Sequence, residues 1–523
     1  MAITSLRTSL KGSCLTAEGT CVTRLRGGGR FDTSKVRIDI PAKEDAVRIS
    51  FGSRYGLRLP KGYAFNHFRM EIDVDEAEEW DIQNKLLLNY DGQGENRISY
   101  SLKDRRTGTN HNSEIYLRGG RAMYFRQNIN NSIIFTIRDA CEYDTPEGQA
   151  RIEKAWRDSK ALRGSDIVMM YEKNCARYEE SASVLYEKLI DEGYDNVYYV
   201  VDTSIPAAQA LPDKYKKNLI ERDSDKHLQY YFASDRFIST ETMDHAVHLR
   251  IANKRVLDKA TGGGLMYVFL QHGVMYMVSL NSSLRSGFRV KKNYKLHRTV
   301  VSSEAEARHF IDLAGMKPED LYVTGLAKFD RCYMNEGADK IVIMPTWRRW
   351  ETNQAKKDVE GTGYFRMIET MYNAVPADLR DKVVILPHPL MAERFKSEEG
   401  GLGGSILLAD SYDEVLRDCS LLITDYSSIA YDAFYRGANV VFWWKDKDEC
   451  MEHYGEGSYL MLNEDNVFGP VCMEPEDITA AVNKLYCKPQ TQESKDKYSK
   501  IVEFHDGRNS DRIIDKLKED GVI

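Results

Sequence analysis

Four segments of the chain carry side chains suited to handling phosphate, and each directly follows a short apolar run. The first is Thr424-Asp425-Tyr426-Ser427-Ser428, after Leu421-Leu422-Ile423. A turn from a strand into a helix offers unpaired N–H groups at the positive end of a helix dipole, which suits a diphosphate. Ser427 and Ser428 add hydroxyl donors. The same residues also suit plain N-capping by Thr424, Asp425 or Ser427. Asp432 lies about two helical turns beyond Asp425. A carboxylate there could accept from both hydroxyls of a ribose; the competing reading is a solvated helix carboxylate. The second segment is Gln271-His272-Gly273, at the end of the run YVFL. Glycine permits a sharp turn, and an imidazole at a strand's carboxyl end can act as general base on an acceptor hydroxyl. A buried structural histidine is the alternative. The third is Pro387-His388-Pro389 after Val383 to Leu386. Its prolines fix the loop backbone, so His388 reads either as a rigidly aimed phosphate contact or as part of an ordinary turn. The fourth is Pro345-Thr346-Trp347-Arg348, where Arg348 could grip phosphate oxygens in bidentate fashion, or be one surface arginine among many.

These segments need a scaffold that brings strand ends together. From about residue 165, short apolar runs alternate with amphipathic helical stretches, and after Lys340 the pattern restarts. Such alternation implies parallel sheets of βαβ units. The chain is therefore expected to carry two doubly wound, Rossmann-like α/β domains facing a cleft, over 165–335 and 336–523, with the last helix near 508–519 crossing back to the first. Ligands of open α/β sheets bind at the carboxyl ends of the strands, where all four segments fall.

Residues 21 to about 140 read differently. KVRIDI, AVRISF, FRMEIDVD, KLLLNY, RISYSL, EIYLR and SIIFTIRD are short, rich in β-branched and aromatic residues, and separated by turn formers. They predict a small β-rich accessory domain over 1–144, an antiparallel sandwich or barrel. Thr145-Pro146 then predicts a helix start, and 145–164 reads as a helical connector.

The chain has 523 residues, too many for one ordinary core. A formal charge of -7 argues against a general nucleic-acid binder. Nine cysteines stand without CxxC or Cys/His ligand spacing, so no metal site and no disulfide framework is expected, and scattered thiols fit a reducing cytoplasm. The amino terminus lacks an apolar core long enough for a secretory signal. The most apolar stretch, Leu265 to Leu280, is interrupted by Gln271 and His272, so any membrane contact would be peripheral. A basic run of Arg289, Lys291, Lys292, Lys295, His297 and Arg298 could meet a polyanion or anionic headgroups, or be a solvated loop. Trp443 and Trp444 read as core or cleft wall. His245 and His248 lack an evident third ligand for a metal.

Taken together, FLQHGV, VTGLAKFD, IMPTWR, LPHP, LLITDYSSIAYD and the terminal HDGRNSDRI resemble the CDP-glycerol glycerophosphotransferase family, the teichoic-acid primases and polymerases of bacterial cell envelopes. The resemblance spans roughly 165–520. It implies a GT-B fold and transfer of a glycerol-phosphate unit from CDP-glycerol to a hydroxyl of a cell-envelope polymer, capsule or lipid-linked acceptor, with release of CMP. It assigns His272 as general base and places His388 near the diphosphate. It sets Thr346 and Arg348 facing phosphate, Ser427 and Ser428 binding it and Asp432 on the ribose, with Thr424 and Asp425 in the same nucleotide-binding turn. No cofactor and no obligatory metal is implied, and the location would be the cytoplasm, at the inner face of the membrane. The sequence leaves divalent-metal dependence and a homo-oligomer open.

The chain departs from the family pattern at Gln271, where the family has tryptophan. It departs again at Val274-Met275-Tyr276-Met277, where a lysine-rich continuation is usual, and at Gly325-Leu326-Ala327-Lys328, where GSPR or GYPR is usual. These sites lie on the acceptor side, so they leave the acceptor open and, to a lesser degree, the donor, with CDP-ribitol or another CDP-activated alcohol as alternatives. Two other readings compete: a GT-B sugar transferase or epimerase using a UDP-sugar, and a degenerate transferase acting as a scaffold.

Overall fold

The short apolar runs become strands with every residue buried, among them Val168–Tyr171, Met266–Phe269 and Cys419–Thr424, as sheets covered on both faces require. The computed structural model describes residues 2–24, 32–39, 46–52, 63–76, 84–85, 87–90, 112–127, 133–247, 251–280, 293–355, 358–387, 405 and 412–523. They divide into two units: Met1–Ala161 with His248–Gly262, and Leu162–Val247 with Gly263–Ile523.

In the first unit, Ala2–Lys11, Cys14–Arg24, Tyr63–Asp73 and Val47–Gly52 form one antiparallel sheet, and Asn84–Lys85, Ile133–Asp139, Arg121–Gln127 and Tyr116–Arg118 form another. Leu6, Leu15, Phe68, Met70 and Ile72 of one sheet share a core with Met123, Phe125, Phe135 and Ile137 of the other. The arrangement is a sandwich. Its opening hairpin lies mostly ahead of residue 21, where the β reading of the sequence began. The overlooked signal is Gly12-Ser13 between two alternating runs: Gly12, at φ +62°, supplies the positive φ that a two-residue hairpin loop needs. The expected strand RISYSL lies outside the described residues.

Helix Pro146–Asp158 starts as its sequence predicts, with Thr145 accepting from the Gly148 N–H at 3.0 Å and Pro146 in the first turn. It lies within 145–164, the stretch expected as a helical connector. The helix belongs to the first unit, packed on helix Lys254–Thr261 of a segment that returns from the second unit. Asn253 bonds Gln149 at 2.8 Å, and the Arg255 guanidinium pairs with Glu153 at 3.1 Å and lies 3.7 Å over the Trp156 ring. Residues 248–262 thus group with the first unit, within the stretch that the sequence reading gave to one domain over 165–335. A returning segment has no signature in a linear reading, because only tertiary contacts reveal it.

The second unit holds two parallel sheets. The first runs Leu219–Glu221, Val197–Val201, Val168–Tyr171, Arg236–Ser239, Met266–Phe269, Leu296–Val301 and Leu321–Val323. Strand order reverses beside Val168–Tyr171, the earliest strand. The second sheet runs Val383–Ile385, Lys340–Ile343, Cys419–Thr424, Asn439–Trp443 and Val471–Cys472. Here the order reverses between Lys340–Ile343 and Cys419–Thr424. Loops leave such a switch point in opposite directions and open a crevice at the strands' carboxyl ends. The Thr346-Trp347-Arg348 and Thr424–Ser428 segments leave from those two strands. One apolar core includes residues of both sheets, among them Val168, Val268, Val342 and Leu422. The last helix, Asn509–Glu519, packs on the first sheet's half. Lys188 pairs with Asp511 at 2.9 Å, Arg298 with Asp520 at 2.6 Å, and the Asp330 carboxylate accepts from the Asn509 and Ser510 N–H groups at 2.9 and 2.7 Å.

Candidate active site

Beneath the Thr424–Ser428 turn lies a buried polar cluster. Asp425 is fully buried; its Oδ1 accepts from the Thr346 N–H at 2.8 Å and its Oδ2 from Arg348 Nη1 at 2.8 Å. Arg348 reaches Asp446 through Nε and Nη2 at 3.0 and 2.7 Å and donates to the Thr346 carbonyl at 2.7 Å. Burial opposes its charge, but Asp425 and Asp446 hold the guanidinium protonated. The Tyr426 hydroxyl donates to Asp446 at 2.9 Å, and burial followed by the two carboxylates pushes its pKa up. Thr424 Oγ1 donates to the Met344 carbonyl at 2.7 Å, and Trp444 Nε1 to the Asp425 carbonyl at 3.3 Å.

Arg348, Thr424 and Asp425, expected at the nucleotide-binding turn, sit beneath it here. Their polar atoms are turned inward and spent on one another, so they hold the two loops of the switch point together. Thr346 contributes its N–H to this brace, while its hydroxyl is buried without a hydrogen-bond partner among the described residues. The residues left facing outward are the serines. Ser427 Oγ accepts from the Ile429 N–H at 3.4 Å. Ser428 stands at the cap of helix Ile429–Arg436 and makes no side-chain cap bond.

In the first sheet's half, strand Met266–Phe269 ends in Leu270-Gln271, and Gln271 adopts a left-handed φ of +62°. That conformation costs a non-glycine residue roughly 1 kcal/mol or more. The loop meets the cost by anchoring. The Gln271 amide is buried, donates to the Val300 carbonyl and reaches Glu306 at 3.3 Å, while Glu306 also accepts from the Met275 and Ser302 N–H groups. Gln271, a departure from the family pattern, is thus a strut of the loop. The next residue, His272, is turned out with about half its side chain exposed, and its Nδ1 lies 3.4 Å from Glu180 Oε2.

The two halves meet at Gly273. A Cβ at this position would stand 3.5 Å from Lys328 Nζ, 3.5 Å from Ser428 Oγ and 3.7 Å from Asp432 Oδ2. Lys328 Nζ pairs with Asp432 Oδ1 at 2.5 Å and donates to the His272 carbonyl at 2.9 Å. Asp432 is therefore no solvated helix carboxylate: it is buried and already neutralised by a lysine from the other half. The segment after Gly273 continues the junction. Val278 bridges Leu460, the Met461 N–H donates to the Met277 carbonyl at 2.9 Å, and Val274 and Met277 are buried. This accounts for an apolar run where the family pattern is basic.

His272, Ser428 and Asp432 thus come together around Gly273, whereas Thr346, Arg348, Thr424 and Asp425 form the brace below. His388 lies outside the described residues, as do His248, Arg289, Lys291 and Lys292. Arg298 binds Asp520 of the last helix, and His245 binds Asn174 Oδ1 at 2.7 Å. Trp443 and Trp444 are buried wall. The sequence reading missed Glu180, Lys173 and Glu172, and met Lys328 only as a departure. Glu172-Lys173 follow the earliest strand at the first sheet's switch point, a position that becomes visible only once strand order is known. Among the described residues no group of three or more His, Cys, Asp or Glu side chains could hold a metal ion. Likewise none of their helices is long and apolar enough to cross a membrane.

Among solved structures, two variants of the wall teichoic acid polymerase TagF, one soaked with CDPG, each superpose with a TM-score of 0.50 at 16% identity. They cover 71% and 72% of this chain and 94% and 98% of theirs. That likeness shows the GT-B fold. The minor teichoic acid biosynthesis protein GgaB of Bacillus subtilis (strain 168) is 27% identical over 278 residues, 48% of this chain. The chain spans 29% of that relative's length. Residues 159–519 match the profile of the CDP-glycerol:poly(glycerophosphate) glycerophosphotransferases. With the switch-point loops, the outward histidine and the helix that follows the serines all inside the matched stretch, the chain belongs to that glycerophosphotransferase family.

Proposed function

We propose that the chain transfers a glycerol-phosphate unit from CDP-glycerol to a hydroxyl of a cell-envelope polymer or lipid-linked acceptor, releasing CMP. The observation that carries this reading is the meeting of His272, Ser428 and Asp432 around Gly273, at the carboxyl ends of two parallel sheets. The family match and the names of GgaB and TagF agree with it. The diphosphate rests at the opening of helix Ile429–Arg436, against its N–H groups and the serine hydroxyls. Lys328 supplies positive charge beside it, and Asp432 meets the ribose through the carboxylate oxygen that Lys328 leaves free. His272 takes the proton of the acceptor hydroxyl as the oxygen attacks the β-phosphorus. His388 belongs to the same reading as a phosphate contact. Side-chain cations and the helix end offset the developing charge, so no metal is required; full turnover in excess EDTA is the expected result.

Purified protein should release CMP from CDP-glycerol in the presence of a glycerol-phosphate primer. His272→Ala should lower kcat by roughly 100- to 10,000-fold, the usual worth of a general base. Full turnover by that variant would overturn the assignment. Thermal stabilisation by UDP but not CDP would favour a UDP-sugar enzyme instead. Protein that binds no nucleotide would favour a scaffold. We further infer work at the cytoplasmic membrane surface, in teichoic acid or capsule assembly, from the lipid-linked acceptor class and the nine unpaired cysteines. Sedimentation with anionic vesicles tests the membrane contact, and light scattering tests a homo-oligomer.

A further inference from the structure

Glu180 is 92 positions from His272 and belongs to no motif of the sequence, yet its carboxylate faces the imidazole. It stands at the cap position of helix Ser181–Asp191 but makes no side-chain cap bond there, so its oxygens are not spent on their own helix. Three contacts fix it. Its backbone N–H donates to the buried Glu172 carboxylate at 2.8 Å, its carbonyl accepts from Ser183 Oγ at 2.8 Å, and its Oε1 pairs with Lys173 Nζ at 2.7 Å. Oε2 remains, 3.4 Å from His272 Nδ1. The Glu180 side chain is only 10% exposed.

We propose that Glu180 is the positioning residue of His272: its carboxylate holds the proton on Nδ1, which leaves Nε2 as the nitrogen that accepts the acceptor's proton. This inference rests on the glycerophosphotransferase reading. In the step, the acceptor O–H proton passes to Nε2 while the oxygen forms a bond to the β-phosphorus. The bond from that phosphorus to the bridging oxygen breaks, and CMP leaves with the electron pair. The imidazole becomes an imidazolium, whose charge Glu180 offsets across the ring, as an orienting carboxylate does in a hydrolase triad. Burial would raise the Glu180 carboxyl, but the bond to His272 and the charges of Lys173, His272 and Lys328 hold it below the ordinary range, so it stays ionised. Lys173 keeps the carboxylate from swinging away, and a left-handed φ of +46° at Lys173 directs that lysine.

The test uses the full chain with Glu180→Gln, CDP-glycerol and a glycerol-phosphate primer. We expect kcat to fall at least about tenfold, short of the roughly 10⁴-fold loss seen for an enclosed triad, while KM for CDP-glycerol stays within about twofold. An unchanged kcat, or a KM that rises as far as kcat falls, would overturn the proposal. A second readout does not depend on activity. In protein labelled with ¹⁵N-histidine, the His272 signal is assigned by its disappearance in His272→Gln. It should show the Nδ1–H tautomer in the unmodified chain and a mixture in Glu180→Gln. An Nε2–H tautomer in the unmodified chain would sink the proposal. If the unmodified chain releases no CMP from CDP-glycerol, the functional reading fails, and the tautomer measurement still decides the dyad.

Discussion

Arg348 is the residue for which the sequence and the structure suggest the most different roles. A phosphate clamp and a buried brace draw on the same guanidinium chemistry, five donors in a rigid fork. What separates them is whether carboxylates already fill that fork, and here Asp425 and Asp446 do. Removing one partner of such a pair leaves a buried charge uncompensated, typically at about 3–5 kcal/mol. Arg348→Ala should therefore lose stability of that order in urea unfolding, and Arg348→Lys should not recover it, because an ammonium cannot reach both carboxylates and the Thr346 carbonyl at once. If the variant unfolds like the parent but loses donor affinity, the brace is wrong and the clamp is right. Lys328 makes the opposite case. Its pairing with Asp432 crosses between the halves beside His272, so Lys328→Gln is expected to raise KM for CDP-glycerol about tenfold or more. Against an Asp432→Asn background the same change should cost less, because the two residues are coupled.

Among the elements, the strand-to-helix passage at Glu172–Ser181 carries the clearest electrostatic tension. The Glu172 carboxyl group is fully buried and accepts from the Glu180 and Ser183 N–H groups at 2.8 and 3.2 Å. Burial first, and then the neighbouring Glu180 charge, push its pKa well up, and the backbone donors only partly offset this. The folded state therefore holds a proton that the unfolded chain releases in the ordinary carboxylate range. Stability contributed at this site falls as pH rises out of that range towards the raised pKa. Thermal midpoints of the unmodified chain should decline more steeply between pH 5 and 8 than those of Glu172→Gln. Equal slopes would show that Glu172 is ionised in the fold. The element also shows why the sequence concealed the site: Glu172, Lys173 and Glu180 look like ordinary solvated charges until the helix folds back over the strand end.

On the scale of the whole molecule, the terminal HDGRNSDRI segment is a latch. Asp330 caps the last helix, the Arg512 Nε donates to the Thr324 carbonyl at 2.9 Å, and Arg512 Nη1 pairs with Asp506 at 2.9 Å. Gly325 sits under this joint at φ +79°, where a Cβ would come 2.1 Å from Asn509 Oδ1. Gly325→Ala meets both a backbone and a steric penalty, and should lower stability by at least about 2 kcal/mol. A neutral result in chemical denaturation would mean that the last helix docks less tightly than these contacts imply. The motif pair VTGLAKFD and HDGRNSDRI, legible as a signature, thus holds the chain's end on the first sheet, and through Lys328 the first of the two also reaches the Gly273 junction.

The sequence by itself determined the local chemistry: which runs become buried strands, where Thr145 and Pro146 start a helix, and that His272 and the serines stand at strand ends. Hydrophobic period, capping residues and glycine placement are short-range properties, and they survive reading in a line. Tertiary structure alone decided what those side chains face. Strand order put the Thr346 and Thr424 loops at one switch point, and chain return gave residues 248–262 to the β-rich unit. Long-range packing turned Arg348 inward, set Lys328 against Asp432 and brought Glu180 to His272. Those outcomes depend on charges separated by tens to hundreds of residues, and whether a charge meets a partner or a ligand is settled by the fold that buries it.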